Sequence, residues 1–304
     1  MTNTRAPLWP RSFELYRSFQ EAVRSARKVF VLCEIEPTTR CNVSCSFCPR
    51  KALKRPAGDM TPQTAALIGD QLGRRPPKAV ILSGFGEPTL NPALPDIAGA
   101  LAERLPVPVG VTTNATLLER SLIESLLSAG VGFFHVSVAA LDPGTARKVT
   151  PGVDPLQVEE NLYTLISVCR GRVPVAANVV VTEGNRAHAR DLCRRLKALG
   201  INSVYRTPAH SRGGALYRPD RPSLRQDCWV YRYTMFVDWR GFVLPCCHDL
   251  EGREILGDLR RHTPVQIDAL KAERRVRILS SERCSFCDFF LASGRRPGPA
   301  GPEG

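Results

Sequence analysis

The stretch Cys41-Asn42-Val43-Ser44-Cys45-Ser46-Phe47-Cys48 decides how this chain is read. Three cysteines stand at i, i+4 and i+7 in a turn-prone run, directly after the apolar, strand-like segment Val29 to Ile35. Three thiolates this close together can hold three irons of a four-iron cubane. Such clusters take four cysteines as a rule, so the fourth iron would stay open to another ligand. Two plainer readings compete, a zinc site and three unrelated core cysteines. Structural zinc wants four protein ligands, and no fourth Cys or His lies near the triplet in the sequence.

Outward from that stretch, composition narrows the class. The chain has 304 residues, 43% hydrophobic and 23% charged, enough for one large domain or a large and a small one. No apolar run approaches a membrane span and the N-terminus lacks a signal-peptide pattern, so a cytoplasmic protein with no membrane partner is expected. The formal charge is +13. Lys and Arg are scattered, without an aromatic-interleaved basic stripe, so solvated basic faces or an acidic protein partner fit better than nucleic acid. A monomer is expected. Eleven cysteines in a reducing compartment do not suggest disulfides. The spacings Cys41/Cys45/Cys48 and Cys284/Cys287 point to metal or cluster ligation.

Periodicity supplies the architecture. Phe13, Tyr16, Phe19, Val23 and Ala26 recur at helical spacing and predict a packing helix within a 1–30 extension. Strand-like runs follow at Val31–Glu36, Ala79–Leu82, Val107–Thr112, Phe133–Val138, Val173–Val181 and Ser203–Arg206. Helical patterns lie between them at Pro62–Gly73, Leu94–Arg104, Leu117–Ala129, Leu156–Cys169 and Arg186–Leu199. Thr61-Pro62 reads as a helix start, and Gly130 and Gly200 as stops. Six strands alternating with helices imply an α/β fold with a parallel sheet and right-handed crossovers. Ligands of such sheets bind beyond the carboxyl ends of the strands, which is where the triplet falls. The expected division is a barrel over 31–209, a Pro-, Gly- and Arg-rich connection over 210–227, a second module over 228–290 and a tail over 291–304 that is disordered by composition.

The pattern Cys-x-x-x-Cys-x-aromatic-Cys resembles the signature of the radical S-adenosylmethionine (SAM) superfamily. The resemblance implies a partial (β/α)6 TIM-type barrel, a 4Fe–4S cluster on Cys41, Cys45 and Cys48, and SAM chelated at the open iron. Gly84-Phe85-Gly86-Glu87-Pro88 after the second strand is similar to the family's Gly-Gly-Glu-Pro motif, with Phe85 in place of its first Gly. It implies SAM contacts at Gly84, Gly86, Glu87 and Pro88. Thr113, with Asn114-Ala115, stands where relatives read Thr-Asn-Gly. Asn114 serves either a ribose hydroxyl or an Asx-turn. Ser137 and Asn178, on the fourth and fifth strands, are further SAM-site candidates. His135, His188 and His210 read as structural histidines, His210 being the one to test.

The second module resembles the C-terminal "twitch", or half-SPASM, module of radical SAM enzymes: Cys228, a hairpin over Met235–Val243 with Gly241 five residues before Cys246, a helix over Val265–Leu279, then Cys284-x-x-Cys287. A full SPASM module needs more cysteines, and none follows Cys287. One auxiliary 4Fe–4S cluster on Cys228, Cys246, Cys284 and Cys287 is therefore implied, against a zinc ribbon on the same sulfurs. Cys247 is an alternative ligand, a bystander or a thiol hydrogen donor. Cys33, Cys169 and Cys193 read as buried core residues.

What the resemblance implies for activity is reductive splitting of SAM, fed by an acidic electron donor (a flavodoxin or ferredoxin). The resulting 5′-deoxyadenosyl radical abstracts a hydrogen atom from the substrate. The expected reaction is dehydrogenation or epimerisation of a small molecule, an amino sugar, cyclitol or nucleoside. Forty residues precede Cys41, few for a peptide-recognition domain, so a maturase of ribosomal peptides is the second reading. A basic zinc protein binding nucleic acid is a third, from another class.

Overall fold

The computed structural model describes residues 30–220 and 228–289. The helix expected within 1–29, residues 221–227 of the connection and the tail from 290 lie outside the described residues.

Six parallel strands form in the expected order: β1 (Leu32–Ile35), β2 (Ala79–Leu82), β3 (Val109–Thr113), β4 (Val131–Ser137), β5 (Val175–Val181) and β6 (Ser203–Pro208). Helices α1 (Pro62–Gly73), α2 (Leu94–Ala102), α3 (Arg120–Ser128), α4 (Pro143–Val149), α5 (Pro155–Cys169) and α6 (Ala189–Ala198) make the crossovers. The helix starts are chemically set. Thr61 accepts a hydrogen bond from the Thr64 amide at 3.2 Å, and Asp142 from Thr145 at 2.8 Å, each ahead of a proline in the first turn. Gly130 and Gly200 stop α3 and α6 at φ of +89° and +101°. The short α4 was not expected, since seven residues carry too little periodicity to stand out. Helices α3 and α6 begin three residues later than their patterns suggest, because Asn114 and Asn185 first close side-chain turns at Thr116 and Thr182.

The two faces of this sheet differ. Cys33, Ile35, Val80, Leu82, Val111, Phe134, Val136, Ala177 and Val179 are buried in one core cluster with Ile68, Leu72, Ile97, Leu101 and Leu162 of the helices. The alternate positions Glu34, Ser83, Thr112, His135, Ser137, Asn178 and Tyr205 are only half-buried. The inner face is thus polar above a floor of Ile81 and Phe133. The Phe133 ring lies over Gly110, where a Cβ would come within 2.0 Å of it.

After the connection, α7 (Trp229–Tyr233) leads into β7 (Thr234–Val237), β8 (Phe242–Leu244), β9 (Gly257–Asp258), α8 (Pro264–Leu279) and α9 (Glu282–Ser285). The expected hairpin is present. Asp238 closes its turn by accepting from the amides of Arg240 and Phe242 at 2.9 and 3.0 Å, and Gly241 takes φ +93°. Sequence patterning did not anticipate that β7 would pair in parallel with β1, Leu32 opposite Thr234 and Ile35 opposite Val237. One nine-stranded sheet, β6-β5-β4-β3-β2-β1-β7-β8-β9, therefore runs through both halves.

A buried ion pair binds this junction. Arg55 grips the Glu36 carboxylate with two nitrogens, Nη2 at 2.6 Å from Oε1, while Phe85 donates its amide to Oε1 at 3.1 Å. The guanidinium lies 5.5 and 5.7 Å from the ring centroids of Phe85 and Phe236. Removing one member of such a pair strands the other in a dry site, at a cost of roughly 3–5 kcal/mol. Arg55→Met should lower the urea midpoint of unfolding by a corresponding amount. An unchanged midpoint would mean that the pair does not hold the junction.

Candidate active site

The cysteine triplet sits in the loop that leaves the carboxyl end of β1. Its backbone is tied down: Cys48 donates to the Cys45 carbonyl at 3.1 Å, and Ser46 to the Val149 carbonyl at 2.9 Å. Phe47 is buried in a small cluster with Ala139, Ala146 and Val149. All three thiols are free and half-buried. Burial, then Cys48 and Cys41, push the Cys45 thiol up to about 12. Burial also raises Cys41, with Glu87 and Cys48 adding to it and the Val43 amide and Arg50 opposing. Cys41 and Cys45, each made harder to ionise by burial and by neighbouring thiols, are what a shared cationic cluster would relieve, since iron takes the place of the protons. The three thiols supply the donor types a cluster in this loop would take, while among the described residues no three His, Cys, Asp or Glu side chains already converge on one point.

The Gly84–Pro88 loop packs on the backbone that leads into the triplet. A Cβ at Gly86 would meet the carbonyls of Thr38 and Arg40 at 2.1 and 2.6 Å, so only glycine fits. Gly84 takes φ +140° against the Glu36 side chain. Glu87 is buried, and both its oxygens are engaged. Oε1 accepts from Thr113 Oγ1 at 2.7 Å and from the Thr89 hydroxyl at 2.8 Å, and Oε2 from the Asn114 amide at 2.7 Å. Glu87 thus clasps the ends of β2 and β3 together. Burial raises its pKa and these hydrogen bonds oppose the rise.

Asn114 makes the Asx-turn: its Oδ1 accepts from the Thr116 amide at 3.0 Å. Its Nδ2 donates to Asn42 Oδ1 at 3.0 Å, which joins the triplet loop to β3. Ala115, at the position where relatives carry glycine, adopts φ +64°, and Asn161 holds its carbonyl at 2.8 Å. Ser137 and Asn178 are register partners on β4 and β5, and Asn178 Oδ1 accepts from Thr207 at 3.0 Å.

Deeper on the inner face lies a chain that spacing could not reveal. Thr112 Oγ1 is 3.2 Å from His135 Nδ1, and His135 Nε2 is 2.5 Å from the Tyr205 hydroxyl, with the two rings stacked. Burial lowers His135 to about 4 and raises Tyr205, so both are neutral near pH 7. Glu34, on β1, is raised to about 7 by burial, with Ser83 and Arg212 opposing and Glu36 adding to the rise. Only side-chain neighbours on other strands single these residues out. In sequence they look like ordinary strand positions.

The second cysteine set gathers from the 60 residues between Cys228 and Cys287 inclusive. Cys228 precedes α7, Cys246 and Cys247 follow β8, and Cys284 and Cys287 flank the end of α9. Burial pushes Cys228 up to about 11, Cys287 and Cys284 adding to it. Burial likewise takes Cys246 to about 12, with Arg283 opposing and Cys284 and Cys228 adding. Cys284 and Cys287 thus lie near enough to act on Cys228, and Cys284 and Cys228 near enough to act on Cys246. Arg283 carries a buried Nε without a hydrogen-bond partner beside them, and a cluster sulfide would supply that acceptor. These residues too fit an iron–sulfur group. Cys247 is raised well above its ordinary value by burial, then by Glu34 and Cys246, and is a protonated thiol near the inner face.

His210 meets His248 and Phe289 with ring centroids 4.8 Å away in each case. The connection is anchored there: Ser211 donates its amide to Asp288 and its hydroxyl to the Phe286 carbonyl, both at 2.7 Å. Cys33 and Cys169 are core residues as expected. Cys193 is not fully buried; it is half-exposed at the rim of the core, because α6 turns a charged face outward around it.

This arrangement is an α/β barrel sheet with a three-cysteine loop at the carboxyl end of its first strand and a four-cysteine module continuing the sheet. The Radical SAM superfamily profile matches residues 35–210, and that of the SPASM iron–sulfur cluster-binding domain matches residues 228–288. The chain belongs to the radical SAM superfamily. Membership brings a 4Fe–4S cluster and SAM, and the second domain brings further iron–sulfur binding. The chain is 31% identical over 191 residues to the probable GTP 3′,8-cyclase of Saccharolobus solfataricus, a match covering 62% of this chain and 60% of that protein. The matches span between 49% and 60% of the length of the curated relatives concerned. Among solved structures, BtrN in complex with AdoMet and 2-DOIA superposes with TM-score 0.59 at 19% identity, covering 88% of this chain and 97% of that one. Streptococcus suis SuiB bound to precursor peptide SuiA gives 0.66 at 16%, covering 94% and 78%. At these identities the likeness shows a common fold. No helix among the described residues is long and apolar enough to cross a membrane.

The inner-face histidine gives a pH signature. Its native value is lowered, so below pH 6.5 the unfolded chain binds a proton that the folded protein refuses until about pH 4. Stability should therefore fall as pH drops through that window, by about 3 kcal/mol for this group. His135→Gln should flatten the slope in anaerobic denaturant titrations. The same slope in the variant would place His135 outside the inner network.

Proposed function

We propose that this enzyme abstracts a hydrogen atom from a hydroxyl- or amine-bearing small molecule held on the inner face of the barrel, and that the net reaction is dehydrogenation or epimerisation. The observation that carries the reading is the half-buried polar band Glu34, Ser83, Thr112, His135, Ser137, Asn178 and Tyr205. It lies on the inner face of the sheet, at whose β1 end the triplet loop begins and where Glu34 acts on Cys247. A peptide backbone in extended form would call for an exposed strand edge or an apolar groove. A compact polyol or amino sugar calls for scattered hydroxyl, imidazole and carboxyl groups.

Cys41, Cys45 and Cys48 would hold the SAM-binding cluster, and Cys228, Cys246, Cys284 and Cys287 a second one. When bound, the first cluster and SAM supply a 5′-deoxyadenosyl radical, and the hard chemistry is theirs. The chain orients and shields. Gly84, Gly86 and Pro88 shape the backbone beside the triplet, and Glu87, with Thr113 and Asn114, locks that loop to β3. Glu34, near neutrality in its pKa, can take a proton from a substrate hydroxyl or hold a substrate ammonium. Cys247, a protonated thiol close enough to Glu34 to be raised by it, is the kind of group an epimerisation needs to return hydrogen. A cytoplasmic protein working with an acidic flavodoxin or ferredoxin suits the charge of +13.

A second reading is peptide maturation, the setting in which SuiB, of the same fold, is bound to precursor peptide SuiA. Anaerobic turnover in heavy water separates the possibilities. Solvent deuterium in the product marks hydrogen return, loss of two hydrogens marks oxidation, and deoxyadenosine formed only with a ribosomal peptide would refute the small-molecule reading. Replacing Cys41, Cys45 and Cys48 together by Ala should remove about half of roughly eight irons per chain and abolish SAM cleavage. Retained cleavage would move the active cluster elsewhere. Cys247→Ala should stall an epimerase and leave a dehydrogenase running.

A further inference from the structure

The two cysteine sets differ in the groups turned toward their sulfurs. Near the triplet, Glu87 disfavours negative charge on Cys41 while Arg50 favours it, so a carboxylate and a cation offset each other. The Val43 amide also bonds Cys41, whereas the second set meets two buried side chains. Arg283 is largely buried, with 20% of its side chain exposed. It interacts with Cys246 and hydrogen-bonds Cys284. Its Nη1 is 2.7 Å from Asp249 Oδ1, which fixes the guanidinium, while Nε is left buried without an acceptor. His248, 4% exposed, places Nδ1 3.8 Å from Cys287 Sγ. Its ring is wedged between His210 and Phe289, with centroids 4.8 and 5.6 Å away, so it cannot swing off the sulfur freely. A buried guanidinium on α9 and an imidazole nitrogen from the turn after β8 thus reach the sulfurs of one set.

We propose that Arg283 and His248 raise the reduction potential of the auxiliary centre above the value its four thiolates alone would give. This rests on the reading above that Cys228, Cys246, Cys284 and Cys287 carry an iron–sulfur cluster. The physical cause is that each added electron raises the negative charge on the cluster and its sulfurs. Hydrogen bonds to sulfur and a nearby cation stabilise that reduced form most, which raises the potential. Neither residue need touch substrate; both act through the cluster they surround.

The test uses the full chain with Cys41, Cys45 and Cys48 replaced by Ala, reconstituted anaerobically, so that only the auxiliary site loads. Redox titration followed by electron paramagnetic resonance then gives its midpoint. At the midpoint of this parent, Arg283→Gln and His248→Gln should each lower the reduced-to-oxidised ratio at least about threefold, roughly half of the 59 mV that a tenfold change represents for one electron. Arg283→Lys, which keeps the charge and loses the fork, should recover part of the shift. A merely structural role would change iron content and leave the midpoint in place. Loaded clusters whose ratio moves less than about threefold in both Gln variants overturn the proposal. If Arg283→Gln fails to load, His248→Gln decides alone. A parent without iron would instead refute the cluster reading of the four cysteines.

Discussion

Strand β1 is paired on both sides, with β2 and with β7, and the active site depends on that double pairing. The loop that leaves β1 carries the cysteine triplet. Its neighbours on either flank carry the Gly84–Pro88 loop and the hairpin leading to Cys246. Because strand pairing fixes register to the residue, the carboxyl ends of three strands far apart in sequence are brought to one level. The Glu36–Arg55 pair secures the same point, with Glu36 on the segment leaving β1 also accepting from Phe85 of the glycine loop. A buried ion pair contributes little net stability but penalises any other arrangement heavily. Here that penalty falls on misplacing the two loops that flank the triplet.

The sheet divides its work between its faces. Outward-pointing residues form a continuous apolar core with the helices, and the inner face keeps groups that can meet a polar ligand. Burial does the tuning on that inner face. It keeps His135 neutral, lifts Glu34 into the neutral range and holds Cys247 as a thiol. Of these, Glu34 at about 7 is the one able to exchange a proton at working pH.

Fold likeness extends to proteins with different printed partners, BtrN with 2-DOIA and SuiB with a precursor peptide. A fold shared at under a fifth identity carries no substrate with it. The side chains of the inner face here are mostly polar and half-buried.

Much of this protein was legible in its sequence because the signals were local. Cys41/Cys45/Cys48 and Cys284/Cys287 are spaced within a turn or two. The alternation of six strands and their helices follows from hydrophobic period, and helix ends follow from Thr61-Pro62, Gly130 and Gly200. Within seven residues, no such period could reveal α4. Only the tertiary structure decided that β7 joins β1, that Asn114 spends its oxygen on an Asx-turn, and that Glu87 clasps β3. The same holds for Thr112, His135 and Tyr205 meeting across three strands, and for Arg283 and His248 reaching the auxiliary sulfurs. Ligand spacing and periodicity are written along the chain, whereas a hydrogen bond between residues 70 positions apart depends on a register that exists only once the sheet has closed.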